Sequence, residues 1–581
     1  MAIRQIETDI LILGAGGAGL FAALHAKKTA PQLDVTIAVK GLLGKCGCTR
    51  MVQGGYNVAL APGDSIERHF MDTIEGGKWL NNQDLAWKLV VEAQVRIREL
   101  ENELGCFFDR NPDGSVHQKA FAGQTFDRTV HKGDLTGIEI INRLAEQVWR
   151  RDVRRMEDHR ALDFIPAADG SGLAGVLMLD MRTGEPSLVR AKATLLATGG
   201  GPTMYKYHTP SGDKTCDGLA MALRAGLTLR DLEMVQFHPT GLLAGAGTRM
   251  TGTVLEEGLR GAGGHLLDSR GERFMFDYDV RGERATRDIV SRSIMYQIRK
   301  GFATKNGGVH ISMSHLGPAN VKRMFKGMVE RCADCGFDLA GGLVEVVPTA
   351  HYMMGGVVFD LDCRTQMPRL YAAGEDTGGV HGANRLGGNG VANSTVFGGI
   401  AGASMARTVL REGMHADPAP DAIERSLDRA FSPIGRPAGD LSDIRETLVE
   451  TMWNDVGILR TGEGLARATT VLEGLSDAVS RCGISDGDRR YNLTWTDRLN
   501  LENLIQVSRG ICAAAIARTD SRGAHFREDH PIASDLATSR YTVVRMKDER
   551  IDIGTEPVVF TRVAPGDTLI TDEPPVLEAA S

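Results

Sequence analysis

Long apolar runs are missing from this chain: no stretch approaches the ~20 consecutive apolar residues that a membrane-spanning helix needs. The N-terminus passes within a few residues into a polar-flanked strand, without the apolar core and cleavage site of a secretory signal. Positive charge is not in excess either. The net charge is −7 and no basic stripe stands out, which argues against nucleic acid as the main partner. Cysteine is sparse, with nine residues at irregular spacing, which points to reduced thiols in a cytoplasmic protein rather than a disulfide framework. Cys332 and Cys335 form one CxxC with no second pair, too little to define a metal site. Neither an internal repeat nor a haem-attachment motif is present. What remains is the composition of a globular protein of several domains, 42% hydrophobic and 24% charged over 581 residues. Its 70 glycines are well above the ~7% of average usage and gather at turns beside strands. That pattern suits nucleotide binding.

Asp9–Leu13 (DILIL) reads as a buried parallel strand, and Gly14-Ala15-Gly16-Gly17-Ala18-Gly19 follows at once, with helical character from Leu20 to Lys28. GxGxxG between strand and helix is the dinucleotide fingerprint: the glycines allow a tight turn and let pyrophosphate rest on the helix N-terminus. Val35–Val39 is the next strand, and Lys40 ends it where an acidic residue ordinarily holds a ribose. Gly44–Leu60 is a second glycine-bearing loop with Cys48, Thr49 and Gln53-Gly54-Gly55. Strands are expected at Leu162–Ile165, Leu173–Leu179 and Ala193–Thr198, the last running into Gly199-Gly200-Gly201. Asp217 opens a helix, as its cap or as a cofactor contact.

Several ionisable residues sit in glycine- or proline-bearing segments. They are His238, expected in a rigid Pro-Thr turn of QFHPTG, Glu256, Glu257 and Arg260 in TVLEEGLRGAGG, Arg287 in ATRDIVSRS and His351 in PTAHYMMGG. The densest segment, Tyr371–Val391 (YAAGEDTGGVHGANRLGGNGV), sets Glu375, Arg385, Gly390 and Val391 among its seven glycines. Such a backbone approaches a ligand closely, and Arg385 offers a rigid fork for a carboxylate or phosphate. The set is largely cationic. Two arginines and two imidazoles can hold two carboxylates and so fix the carbon–carbon bond between them.

HGANRLGGN preceded by AAGE, together with QFHPTG, PTAHYMMGG and the SRGAH of 521–525, resembles the flavoprotein subunits of succinate dehydrogenase and fumarate reductase, a family that includes L-aspartate oxidase. The resemblance covers nearly the whole chain. It implies an α/β fold: a Rossmann-like FAD-binding domain (1–241 and 351–410) with an inserted α+β capping domain (242–350), then a helical bundle (411–530) and a small C-terminal region (531–581). Helical periodicity in Ser442–Met452, Gly464–Val479 and Leu499–Arg518 suits the bundle, and the alternating runs Thr542–Met546 and Val558–Val563 read as strands before a mobile acidic tail. The cofactor so implied is FAD, bound through Gly14, Ala15, Gly16, Gly17, Ala18, Gly19, Lys40, Cys48, Thr49, Gln53, Gly54, Gly55, Asp217, Glu375, Gly390 and Val391. Many relatives link the flavin to a histidine at the place of Cys48, so non-covalent FAD is expected here. Arg287 is implied to move the substrate proton while hydride passes between a substrate carbon and flavin N5, with Glu257 and Arg260 on the proton path. His238, Glu256, His351 and Arg385 are implied to bind substrate. An iron–sulfur subunit is the implied electron partner, and through it a peripheral place on the inner face of the cell membrane.

Chemistry constrains two of these roles. Arginine, with a pKa of roughly 12.5–13.8, is a poor base, so Arg287 needs a transient relay with Glu257 in a dry site or else acts as an electrostatic clamp. Glu256 stands where relatives carry a threonine that donates to a substrate carboxylate. Two carboxylates ~4 Å apart repel by about 4 kcal/mol at an effective dielectric of ~20. Either Glu256 is protonated, or it turns onto a cation such as Arg249, or the substrate offers an ammonium or hydroxyl there. The expected activity is interconversion of CH–CH and C=C bonds in a small dicarboxylate, with plain succinate not the best substrate. The alternative is an L-aspartate-oxidase-like oxidase of amino dicarboxylates.

Overall fold

The computed structural model describes residues 3–245, 248 and 250–571. A seven-stranded sheet organises it, with Arg154–Met156, Val35–Ala38, Arg4–Leu13, Glu185–Leu196, Leu173–Asp180 and His159–Pro166 in that order. The first four of these run parallel to one another, Ile10 lying opposite both Val35 and Ala193. Side chains alternate across the central strand. Ile10 and Ile12 pack with Phe21 and Phe397 on one face, and Leu11 and Leu13 with Leu219 and Leu504 on the other. Burial on both faces is what a parallel sheet demands, which accounts for the unbroken apolar run.

Glu185–Leu196 changes partner along its length. Its first half pairs antiparallel with Leu173–Asp180, whereas Thr194–Leu196 pairs parallel with Leu370–Ala372, the seventh strand. Two loops distant in sequence therefore leave the sheet side by side. Asp376 stitches them, accepting from Gly199 N at 2.7 Å and Thr198 Oγ1 at 3.0 Å.

One sheet face carries the helices Gly17–Thr29 and Asn389–Glu412. They approach to backbone contact: a Cβ on Gly398 would lie 2.5 Å from Ala18 O, and one on Gly402 2.1 Å from Ala22 O. The other face carries the bundle helices Leu441–Asn454, Gly462–Arg481 and Leu493–Ala517. The cap is built on a four-stranded antiparallel sheet in the order Val235–Leu242, Leu343–Met353, Val309–Ser312, His265–Leu267. The limits expected at 242 and 350 thus fall on two strands that run from the cap to the cofactor domain.

Two expectations need correction. His238 lies in the extended strand Val235–Leu242, not in a turn; a register shift between His238 and Gly241 absorbs Pro239, which an edge strand tolerates. Near the C-terminus, Arg540–Lys547 pairs with Arg550–Pro557, and Val558–Val563 is not a strand. The hairpin turn is Asp548-Glu549, with φ of 49° and 61°. Positive φ at both positions is ordinarily met by Asn-Gly, so the sequence concealed the turn. The acidic tail at 572–581 lies outside the described residues. Cys332 is buried in the cap core. Among the described residues, no group of His, Cys, Asp and Glu side chains is placed to hold a metal, and no helix is long and apolar enough to cross a membrane.

Candidate active site

Two cavities meet end to end at the sheet edge, sharing Gly16, Gly47, Thr198, Gly199 and Lys214. Gly16, Gly17, Ala18, Cys48, Thr49, Gln53, Gly54, Gly55, Glu375, Gly390 and Val391 line the first, and so do His238, Glu256, Glu257, Arg287, His351 and Arg385. Gly14, Ala15, Gly16, Lys40 and Asp217 line the second. Gly19 and Arg260 line neither. A Cβ on Gly19 would sit 2.0 Å from Gly14 O, so this glycine serves the packing of helix on strand. The helices Gly17–Thr29, Arg287–Arg299 and Asn389–Glu412 all begin at the first cavity, where unpaired N–H groups and the helix dipoles favour anions.

The nucleotide end fits FAD. A Cβ on Gly16 would find only Thr49 Oγ1, at 3.7 Å, so this backbone is open to the close approach of a pyrophosphate. Lys40 turns inward: its Nζ donates to Thr215 Oγ1 and Asp217 Oδ2, each at 2.9 Å. Arg160 and Asn503 donate to Asp217 Oδ1, each at 2.7 Å. Asp217 does not cap its helix. Burial opposes its charge, but Arg160 and Lys40 outweigh it and hold the pKa below the usual carboxylate range. The acid missing at the end of the second strand is thus supplied to the same cavity by Asp217.

At the ring end, Gln53 Nε2 donates to Val254 O at 3.2 Å and its Oε1 has no partner among the described residues, leaving an amide acceptor for a ring N–H. Glu375 Oε1 accepts from Met353 N at 3.0 Å, and burial raises its pKa to about 7. Burial also pushes the Cys48 thiol up to about 12, with Glu375 adding to the effect. That thiol stays protonated.

Arg287 is the first residue of its helix and is held from two sides. Its Nε and Nη2 donate to Glu257 Oε2 at 3.0 and 2.6 Å, and Nη1 donates to Gln236 Oε1 at 3.0 Å. The other oxygen of Glu257 lies 3.5 Å from Arg260 Nη2, and Arg260 Nη1 donates to Glu283 O at 2.8 Å. Burial works against the Glu257 charge, but Arg287 and Arg260 outweigh it and lower the pKa. His238 and His351 stand with ring centroids 5.4 Å apart. Burial and the nearby Arg287 keep both imidazoles neutral. Because His238 Nδ1 accepts from Thr240 N at 3.3 Å, its proton is on Nε2. His351 Nδ1 meets Thr209 Oγ1 at 2.8 Å. Arg385 stacks on Tyr352, 4.5 Å from the ring centroid; burial, with Arg287 adding, lowers its pKa to about 10, so it remains a cation. Its Nε has no partner among the described residues. Two guanidiniums and two neutral imidazoles therefore face one space, as a dianion requires.

Glu256, itself buried, meets the half-buried Lys119 through Oε1 in an ion pair. Arg249, the cation expected from the sequence, lies outside the described residues. Lys119 Nζ also sits 5.7 Å from the ring centroid of Phe121, which lines the cavity. Nothing in the sequence marks Lys119, a lysine two residues from Phe121 in an otherwise ordinary polar stretch. Gln236 was legible in principle, since it lies two residues before His238 on the same side of one strand.

Fold and cavity together define an FAD-dependent oxidoreductase. Residues 9–391 match the FAD binding domain family, and residues 445–569 match the family described as fumarate reductase flavoprotein C-term. The chain is 41% identical over 534 residues to one of the subunits of the fumarate reductase (CoM/CoB) of Methanothermobacter marburgensis, covering 91% of this chain and 96% of that one. It is 34% identical to the fumarate reductase flavoprotein subunit of Mycobacterium tuberculosis, over 97% of this chain and 99% of the relative. A solved variant of the FrdA chain of Escherichia coli quinol fumarate reductase superposes with a TM-score of 0.91 at 31% identity, covering 97% of this chain and 99% of that one. The chain belongs to the family of fumarate reductase and succinate dehydrogenase flavoprotein subunits, and FAD is its cofactor.

Proposed function

We propose that this protein is a catalytic flavoprotein subunit that interconverts the CH–CH and C=C bonds of a small dicarboxylate, fumarate and succinate being the parent pair. The observation that carries the reading is the convergence of His238, His351, Arg287 and Arg385 on the cavity that the flavin-binding loops also line. Bound FAD supplies a hydride acceptor or donor at its N5. Arg385 and the two imidazoles hold the carboxylates, so the carbon–carbon bond is fixed before reaction. Arg287 exchanges the proton at the second carbon, and Glu257 and Arg260 stand behind it as the refilling path. Cys48, kept protonated, leaves the flavin without a thioether bond. The relatives are named as subunits, and an iron–sulfur partner carrying electrons to or from the flavin completes the reading; through it the protein sits at the inner face of the membrane.

The test is a panel of dicarboxylates on FAD-loaded protein: fumarate with a reduced viologen dye, succinate with an artificial acceptor, and aspartate with oxygen. Turnover of fumarate or succinate is expected. Turnover of aspartate with peroxide release, and of neither parent substrate, would replace this reading with an amino dicarboxylate oxidase.

A further inference from the structure

We infer that Lys119 is a specificity-determining positioning residue that acts through Glu256, neutralising the carboxylate that this chain presents to the substrate cavity. The inference rests on the dicarboxylate reading above. Glu256 lines the cavity and spends one oxygen on Lys119; its other oxygen makes no hydrogen bond among the described residues. Left alone, that carboxylate would repel an incoming anion. Lys119 cancels it. In the ion-paired cluster at the cavity and just behind it, Arg260, Arg287, Arg385 and Lys119 stand against Glu256 and Glu257, two positive charges in excess, while the other charged side chains that line the cavity, Lys214 and Glu375, are opposite in sign. Removing Lys119 alone leaves one positive charge and an unpaired buried carboxylate facing the ligand. Replacing both members by neutral side chains restores the balance. Lys119 does not itself line the cavity; it stands behind Glu256 and beside the ring of Phe121, both of which do, and acts on the ligand through Glu256.

The other charged groups facing Glu256 are Asp134, from the loop before the helix Thr136–Trp149, and Glu257 on its own segment; both disfavour its ionised form. His131 lies near Lys119, but burial, with Lys119 adding, pushes its pKa down to about 4, so its charge stays constant around neutrality. His117 faces His131, 2.6 Å away.

The experiment titrates FAD-loaded protein with malonate and with fumarate, following the flavin absorbance between about pH 6 and 8.5 in wild type, Lys119→Met, Glu256→Thr and the double variant. Lys119→Met should weaken binding at least about tenfold at the alkaline end, where an unpaired buried charge costs most. Its binding should tighten as pH falls, with one proton taken up per ligand, because Glu256 must then be protonated to admit an anion. The double variant should return to within a few-fold of wild type and follow the wild-type pH profile, to which Glu375, raised to about 7 in the same cavity, also contributes. Wild-type affinity in Lys119→Met at every pH overturns the inference, and so does a double variant as weak as Lys119→Met, which would mark a purely structural role. If the wild type keeps FAD yet binds neither ligand, the dicarboxylate reading itself has failed.

Discussion

Arg287 and Glu257 are joined through a single carboxylate oxygen, which accepts from both Nε and Nη2 of the guanidinium and leaves the second oxygen to Arg260. Only a planar fork can make that junction and also reach Gln236. Arg287→Lys should keep FAD and bind dicarboxylate within a few-fold of wild type. It should lose about 10²–10⁴ in kcat, the usual weight of a positioned proton donor. Steady-state kinetics beside a ligand titration decide it; a loss below tenfold assigns the proton to another group.

Gly14 and Gly16 belong to one motif but do different work. At Gly14, φ is 107° and a Cβ would lie 2.2 Å from Ala197 O, so Gly14→Ala strains the fold itself. Gly16 has no close neighbour. Gly16→Val should give a folded protein, by circular dichroism and thermal melting, that purifies without its yellow colour. Flavin retained at wild-type stoichiometry in that variant would remove Gly16 from the pyrophosphate site.

Acid precipitation should release all of the flavin, and no fluorescent band should remain with the denatured chain on a gel. Cys48→Ser should behave identically, since a thiol pushed up to about 12 is not the nucleophile a thioether needs. Flavin that stays with the wild-type chain and leaves with Cys48→Ser would contradict this.

Glu375 makes the flavin-free protein sensitive to pH. Burial raises its folded pKa from 4.5 to about 7, so the stability it allows is complete below 4.5 and is lost as pH rises through 7. A rise of that size corresponds to roughly 3 kcal/mol at pH 8. Glu375→Gln should therefore unfold at higher urea than wild type at pH 8 and at nearly equal urea near pH 4.5. Parallel curves for the two proteins would show that Glu375 ionises freely.

The glycine motifs and the imidazole- and arginine-bearing strings were legible in the sequence because each answers a local demand: a tight turn, a close approach, a fixed donor. The bundle helices were legible for the same reason, since periodicity is local. Lys119 was not, and neither was the network that holds Asp217, although Asp217 itself was marked as a cofactor contact. The four donors on Asp217 come from positions 40, 160, 215 and 503, a convergence that only the fold creates. Lys119 sits on a two-residue strand whose polar sequence resembles a solvated edge, and its meaning depends on Glu256, far along the chain. The hairpin at Asp548-Glu549 escaped because two acidic residues hold a backbone shape usually left to glycine and asparagine.

The seating of Gly398 and Gly402 on Ala18 and Ala22 has a cost during biosynthesis. The first helix is translated early, yet the surface it lies against is made only when residues 389–412 emerge from the ribosome. Until then the growing polypeptide leaves that apolar flank of the helix uncovered and lacks Gly390 and Val391 of the cofactor cavity. Chains terminated before that point should therefore come out colourless and prone to aggregate, and rapid overproduction should call on chaperones well before it calls on the vitamin supply.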